Sequence, residues 1–114
     1  MKTKTPNSIA PLAARPYLAR RERMARLAAS IPGMTTAEGC RAHAAVERFY
    51  QDPGHDLDDP ALDDMLQQAD KAALGWRVKN RRDAAAIVRY CRAHMDLLTT
   101  GALLDRALAF LAAA

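Results

Sequence analysis

The chain is poor in the residue types that favour β-sheet. Its 114 residues include three Val, three Ile, two Phe, three Tyr and one Trp, against 25 Ala and 13 Leu. Ala, Leu and Arg favour helix, whereas β-branched and aromatic residues favour strand. The composition therefore predicts an all-α fold. We expect a small four- to five-helix bundle with a thin core, because an Ala side chain buries little apolar area.

Long hydrophobic runs are also missing. A membrane-spanning helix needs a continuous apolar stretch of roughly 18 residues or more, and none occurs here. Residues 1–14 hold two lysines and are interrupted by Pro6 and Pro11, a pattern that does not fit a secretory signal. We therefore expect a cytoplasmic protein without a membrane partner, with Cys40 and Cys91 reduced. A disulfide between these two cysteines is the alternative.

The motifs of common enzyme classes are absent as well. There is no Gly-rich phosphate loop, no Gly-x-Ser-x-Gly elbow and no His-Glu-x-x-His element. The three glutamates do not form the Glu-x-x-His pairs of di-iron bundles. Counted from Asp56, the acidic stretch has Ala61 at the position where an EF-hand loop requires Gly, and it has no Glu at position twelve. We therefore expect a protein that is not an enzyme.

Proline, glycine and capping residues divide the chain into an arm and one domain. Residues 1–14 are expected to form a flexible basic arm, and residues 15–114 a single helical domain. Five helices are predicted over residues 16–30, 36–51, 60–74, 81–98 and 101–112. Thr35 followed by Glu38 fits a capping box. Asp59 and Asn80 fit N-caps, and Gly75 fits the C-terminal cap of the third helix.

The string Cys-Arg-Ala-His occurs twice, each time inside a predicted helix. Residues i and i+3 share a helix face, so each copy places a thiol beside an imidazole. Two facing copies would offer two sulfurs and two nitrogens, a donor set that suits structural zinc. The candidate zinc ligands are Cys40, His43, Cys91 and His94. In the alternative interpretation the cysteines are buried apolar residues and the histidines lie at the rim of the core.

Charge is unevenly distributed along the chain, whose net charge is +4. Residues 1–33 carry seven basic and one acidic side chain, residues 34–74 three and nine, and residues 75–114 seven and three. Two basic groups could bind nucleic-acid phosphates or other anions. They comprise Arg20, Arg21, Arg23, Arg26, Arg77, Lys79, Arg81 and Arg82. Alternatively, the acidic segment neutralises these cations, and Trp76 is a core side chain rather than a stacking platform.

These observations favour a non-enzymatic protein-binding module. Segregated charge on a small domain suits electrostatic docking on a larger protein or complex, as small regulators, adaptors and phage-type inhibitors do. One alternative is a helical subunit that binds the phosphate backbone of nucleic acid through Arg and Lys. Another is a helical domain stabilised by zinc.

Overall fold

In a computed structural model, which describes residues 11–54, 59–94 and 99–113, every regular element is a helix. The all-α prediction is therefore confirmed. The elements are α1 (Pro11–Ser30), a 3-10 turn (Ile31–Gly33), α2 (Thr36–Gln51), α3 (Pro60–Ala73), α4 (Arg81–Ala93) and α5 (Thr99–Ala113). Across the described ranges, no helix has both the length and the apolar content needed to cross a membrane.

The first helix begins five residues earlier than the sequence predicted. Proline suits a first helical turn because its missing N–H would be unpaired there anyway. Both Pro11 and Pro16 fit that rule, and the structure starts the helix at Pro11 and keeps Pro16 inside it. Residues 11–14 of the predicted arm are therefore helical, and residues 1–10 lie outside the described residues.

The predicted N-terminal caps are confirmed. The Glu38 backbone N–H donates to Thr35 Oγ1 at 3.1 Å, and the Thr35 N–H donates to Glu38 Oε1 at 3.0 Å, completing the capping box of α2. The Asp59 side chain accepts from the Ala61 N–H at the start of α3. Asn80 caps α4 through its side-chain oxygen. Local chemistry therefore determines where α2, α3 and α4 begin.

The predicted ends of α1 at Ser30 and of α2 at Gln51 are confirmed, whereas those of α3 and α4 were less accurate. α3 ends at Ala73 with Leu74 as its C-cap, and the last carbonyls accept bonds from residues three positions on, including Gly75 N–H to Ala72 O. Gly54 is the one described glycine with positive φ, so Gly75 is not the left-handed cap that was predicted. α4 ends at Ala93, and residues 95–98 of its predicted extension lie outside the described residues.

The core lies around α2, which contacts α1, α3 and α4. By contrast, α5 contacts α4 alone among the helices. Small side chains fill much of this interior, which is why the core is thin. The residues that are almost fully buried include Ala28, Ile31, Val46, Ala69, Ala73, Ile87, Leu103 and Ala107.

Asp59 joins α1 to the start of α3. Its Oδ2 accepts from the Tyr17 hydroxyl at 2.6 Å and from Arg21 Nη1 at 2.7 Å. Burial acts to raise the pKa of Asp59, but the hydrogen bonds from Tyr17, Arg21 and the Ala61 N–H outweigh it and leave the pKa below its usual value. The charge of Arg21 is thereby paired with a carboxylate of the protein.

We expect Asp59→Asn to lower the free energy of unfolding by about 1 kcal/mol at pH 7, because Asn preserves the cap but removes the ion pair with Arg21. A carboxyl whose folded pKa is depressed stabilises the fold above its unfolded pKa of about 3.9, and that contribution is lost as pH falls through the folded pKa. The difference between variant and wild type should therefore shrink from pH 5 towards pH 3. Urea unfolding across this range measures it. Asp105→Asn, at an exposed site, should show no such trend.

Candidate functional site

Four rings from different parts of the chain, one of them on α2, pack together. We call them the ring cluster: His43, Trp76, Tyr90 and His94. The rings of His43 and His94 have centroids 5.3 Å apart. Tyr90 stacks on His94 at 4.3 Å, and Trp76 meets Tyr90 edge-on at 5.0 Å. The two copies of Cys-Arg-Ala-His are therefore brought together through their histidines.

His43 lies at the centre of the ring cluster and is fully buried. Its Nε2 is 2.7 Å from Asp70 Oδ1, and Asp70 belongs to α3. An ionised carboxylate only accepts hydrogen bonds, so Nε2 carries the hydrogen in this pair. The other ring nitrogen, Nδ1, is buried without a hydrogen-bond partner.

His94 forms the C-cap of α4 and is held at both ring nitrogens. Its Nδ1 is 2.8 Å from the Tyr90 carbonyl oxygen, so Nδ1 donates there. Its Nε2 is 2.5 Å from Glu47 Oε1 on α2. The ligand atoms of His43, Glu47 and His94 all lie within 4.8 Å of one another.

The two thiols do not belong to this group, so the predicted Cys2His2 set is revised. Cys91 Sγ donates to the Thr100 carbonyl oxygen at 3.4 Å, while burial raises the pKa of the Cys40 thiol to about 12. Both cysteines are free, so the alternative disulfide is not formed.

The helix register explains why the thiols are left out. Ala37 bonds to Asp83 near the starts of α2 and α4, and Glu47 bonds to His94 near their ends, so the two helices run parallel. These pairs are 46 and 47 residues apart, whereas the two Cys-Arg-Ala-His copies start 51 residues apart. The copies are therefore displaced by about one turn. Glu47, one turn beyond His43 on α2, takes the place of a thiol, and that i, i+4 spacing was the missed sequence signal.

The starts of α2 and α4 meet around a second buried polar group. Asp83 is 3% exposed; its Oδ1 accepts from the Ala37 N–H at 3.2 Å and its Oδ2 from the Lys79 N–H at 3.1 Å. Beside it, the Thr36 hydroxyl donates to the Arg77 carbonyl oxygen at 2.5 Å. A carboxylate of the protein thus lies at the helix starts, where an external anion was one of the alternatives.

Half of the predicted basic residues have partners within the protein, and for Arg21 and Arg26 the partner is a carboxylate. Arg20 donates to the Pro53 carbonyl oxygen, Arg21 pairs with Asp59, and Arg77 donates to the carbonyl oxygens of Gly75 and Trp76. The exposed Arg26 side chain is 3.8 Å from Glu22. The four members whose side chains have no hydrogen-bond or ion-pair partner among the described residues are Arg23, Lys79, Arg81 and Arg82. Trp76 is 4% exposed and packs in the ring cluster, so its core interpretation is confirmed.

The outer side of α4 carries four arginines that we call the basic α4 face: Arg81, Arg82, Arg89 and Arg92. All four are exposed, and none has a partner among the described residues, while Asp83, the one acidic residue of α4, is buried. A groove of about 290 Å³ lies against this face, between Ala85 and Val88 of α4 and Leu111 of α5. Arg89 and Arg92 were not among the basic residues that the sequence analysis singled out.

The comparisons with known proteins add nothing to the fold class that the structure shows. No family model, curated protein or solved structure matches the chain. The class that the described residues define is a small all-α domain. Its two distinctive places are the ring cluster with its carboxylate partners and the basic α4 face beside α5.

Proposed function

We propose that the chain is a non-enzymatic, cytosolic protein-binding module that docks on a larger protein through α4 and α5. The observation that carries the proposal is a set of unpaired arginines around exposed apolar side chains. We call this region the docking surface; it comprises the basic α4 face with Ala85, Val88, Leu108 and Leu111.

The arrangement of α4 supports a continuous interface. Arg81, Ala85, Val88 and Arg92 follow one another at spacings of four, three and four residues, so they share one stripe of the helix. Two apolar side chains are therefore flanked by a guanidinium at each end. Arg is enriched at protein interfaces, where its planar fork pairs with carboxylates through two hydrogen bonds.

The neighbouring helix α5 extends the apolar part of the docking surface. Among its 15 residues only Asp105 and Arg106 are charged. α5 packs on α4 alone among the helices, and Leu108 and Leu111 remain 52% and 46% exposed. Grouped apolar side chains on a solvent-facing helix are typical of surfaces that bind another protein.

The positive charge of the docking surface indicates what kind of partner it would bind. Four unpaired guanidinium groups around an apolar stripe are complementary to an acidic amphipathic helix of a partner protein. The apolar side chains of that helix would pack on Val88, Leu108 and Leu111, and its carboxylates would pair with the basic α4 face. Electrostatic attraction of this kind accelerates association and weakens as salt rises.

A capture experiment with charge-reversed variants tests the proposal. The untagged full chain, immobilised, is exposed to host lysate, and each captured protein is then purified and titrated against the variants. We expect Arg89→Glu/Arg92→Glu and Leu108→Asp each to weaken binding at least tenfold, about 1.4 kcal/mol or more. The matched controls on α1, Arg23→Glu and Leu18→Asp, should bind as the wild type does.

Two outcomes would contradict this docking function. In the first, no protein is retained by the wild type more than by the charge-reversed variant. In the second, the α1 controls weaken binding as much as the α4 and α5 variants do, which would place the interface elsewhere. All the substituted side chains face solvent, so the variants should fold normally. The melting temperature of each variant, which should be unchanged, checks this.

Nucleic-acid binding is the second candidate function. Lys79, Arg81 and Arg82 are exposed near the start of α4, and their side chains have no hydrogen-bond or ion-pair partner among the described residues. If they bind phosphates, affinity for unrelated duplex DNA or RNA should fall steeply with salt, and Arg81→Glu/Arg82→Glu should reduce the slope. Absence of binding at low salt would remove this candidate and leave the protein-binding function.

A further inference from the structure

We propose that His43, Glu47 and His94 bind a zinc ion that ties α2 to the end of α4. The three ligand atoms are within 4.8 Å of one another, and the residues come from two helices that run in parallel. The inference goes beyond docking and does not depend on it, since it concerns the two histidines of the ring cluster and Glu47 rather than the docking surface.

In each histidine one ring nitrogen donates a hydrogen bond within the protein, and the other ring nitrogen keeps a lone pair that could bind a metal ion. A metal-binding imidazole typically donates its other N–H to a carboxylate or a backbone carbonyl, which holds the ring and its tautomer. His43 donates through Nε2 to Asp70, and His94 donates through Nδ1 to the Tyr90 carbonyl oxygen. The lone pairs therefore lie on His43 Nδ1 and His94 Nε2.

Both lone pairs lack a suitable donor among the described side chains. His43 Nδ1 is buried with no hydrogen-bond partner, an arrangement that costs free energy unless something fills it. His94 Nε2 faces Glu47 Oε1 at 2.5 Å, and two acceptor atoms so close together need a cation between them. That cation is either a proton or a metal ion, and a metal ion there would also have a ring nitrogen of His43 within reach, since the ligand atoms of the three residues lie within 4.8 Å of one another.

The donor set selects zinc over the hard cations. Two imidazole nitrogens with one carboxylate oxygen is a common zinc set, whereas magnesium and calcium prefer oxygen ligands. Tetrahedral zinc with bonds of about 2.0–2.1 Å places its ligand atoms about 3.3 Å apart. Glu47 and His94 would move slightly apart and His43 would approach, and the partly exposed Glu47 side chain has room for this change.

A groove between α2 and α4 lies beside the proposed site and borders His94. The groove has a volume of about 240 Å³, and Cys40, Arg41, Tyr90 and His94 are among the residues that line it. Three protein ligands leave a fourth position, which water would occupy. Through Asp70, the zinc ion would also be coupled to α3, so that three helices share one anchor.

Zinc titration of the untagged full chain tests the site. We expect one zinc per chain by calorimetry and elemental analysis, and a melting temperature raised by about 10 °C at a hundredfold excess over the dissociation constant. Glu47→Gln and His94→Asn should each weaken zinc binding at least tenfold, and Asp70→Asn, at a positioning residue, by about tenfold or more. Glu22→Gln is the matched surface control and should leave binding unchanged.

Cobalt substitution distinguishes this ligand set from one that uses the cysteines. The cobalt-loaded chain should show visible bands without the near-ultraviolet thiolate-to-cobalt charge-transfer band, and Cys40→Ser/Cys91→Ser should bind zinc as the wild type does. A charge-transfer band, the absence of stoichiometric zinc binding, or equal affinity in Glu47→Gln would overturn the proposal. Circular dichroism of each metal-free variant establishes that the helices are intact before titration.

Discussion

Replacing Asp83 by Ala is expected to lower the free energy of unfolding by about 3 kcal/mol. The carboxylate is almost fully buried and accepts N–H bonds from Ala37 at the start of α2 and from Lys79 just before α4. Alanine would remove both charge-assisted bonds and leave the Ala37 N–H without its side-chain partner inside the protein. Chemical denaturation at pH 7 measures the loss.

Two further variants make this prediction specific. Asp83→Asn keeps one acceptor oxygen but turns an N–H group towards one of the two donors, so we expect an intermediate loss of about 2 kcal/mol. Asp105→Ala removes an exposed acidic side chain from α5 and should change stability by no more than about 0.5 kcal/mol. Equal stability of Asp83→Ala and wild type would show that the contact between the two helix starts does not hold the fold together.

Replacing Gly39 by Ala is expected to destabilise the protein by about 2 kcal/mol, although alanine is the better helix former. A Cβ at this position in α2 would meet Trp76 Nε1 at 2.6 Å and Ile31 Cγ2 at 3.4 Å. Trp76 is 4% exposed and packed against Tyr90 and His43, so its ring cannot move without disturbing the ring cluster. The absence of a side chain at Gly39 is what lets the indole approach the helix.

The other helical glycine offers a control of opposite sign. A Cβ at Gly101 in α5 would meet nothing within 4 Å, so Gly101→Ala should stabilise the protein by up to about 1 kcal/mol. Trp76 is the one tryptophan of the chain, and its fluorescence should therefore change in Gly39→Ala and stay constant in Gly101→Ala. If both substitutions stabilise the protein, close packing of Trp76 on α2 is refuted.

The proposed zinc site and the docking surface lie on neighbouring parts of α4. His94 caps the end of the helix that presents Arg89 and Arg92. A metal ion bound by His94 and by α2 would restrain this end of α4, since the ligands would be held to one geometry. The two proposals remain separable, because Glu47→Gln removes a metal ligand without altering the basic α4 face.

Helix starts were predictable because their chemistry is local. A capping box at Thr35 and Glu38, or an N-cap at Asp59, involves residues close together in the chain, and so does the pairing of Asn80 with the Asp83 N–H. The start of α1 was ambiguous, because Pro11 and Pro16 satisfy the same first-turn rule. The end of α3 was predicted wrongly, since its last carbonyls found partners in a tighter turn.

The candidate sites required distances between residues far apart in the chain. The repeated Cys-Arg-Ala-His singled out His43 and His94, whose rings do lie together, but the other groups beside them depend on the relative register of α2 and α4. That register results from the packing of whole helix faces and from the Asp83 contact. Likewise, the sequence does not distinguish an arginine that pairs with a carboxylate, as Arg21 does with Asp59, from one whose side chain has no partner on the basic α4 face.

The sequence by itself determined the all-α class and the positions at which three helices begin, because composition and capping act over a few neighbouring residues. Only the tertiary structure decided that Glu47 replaces the thiols beside the two histidines, that Asp83 occupies the helix starts, and which arginines remain unpaired. These outcomes depend on long-range packing, and a shift of one helical turn between α2 and α4 would change all the contacts between those two helices.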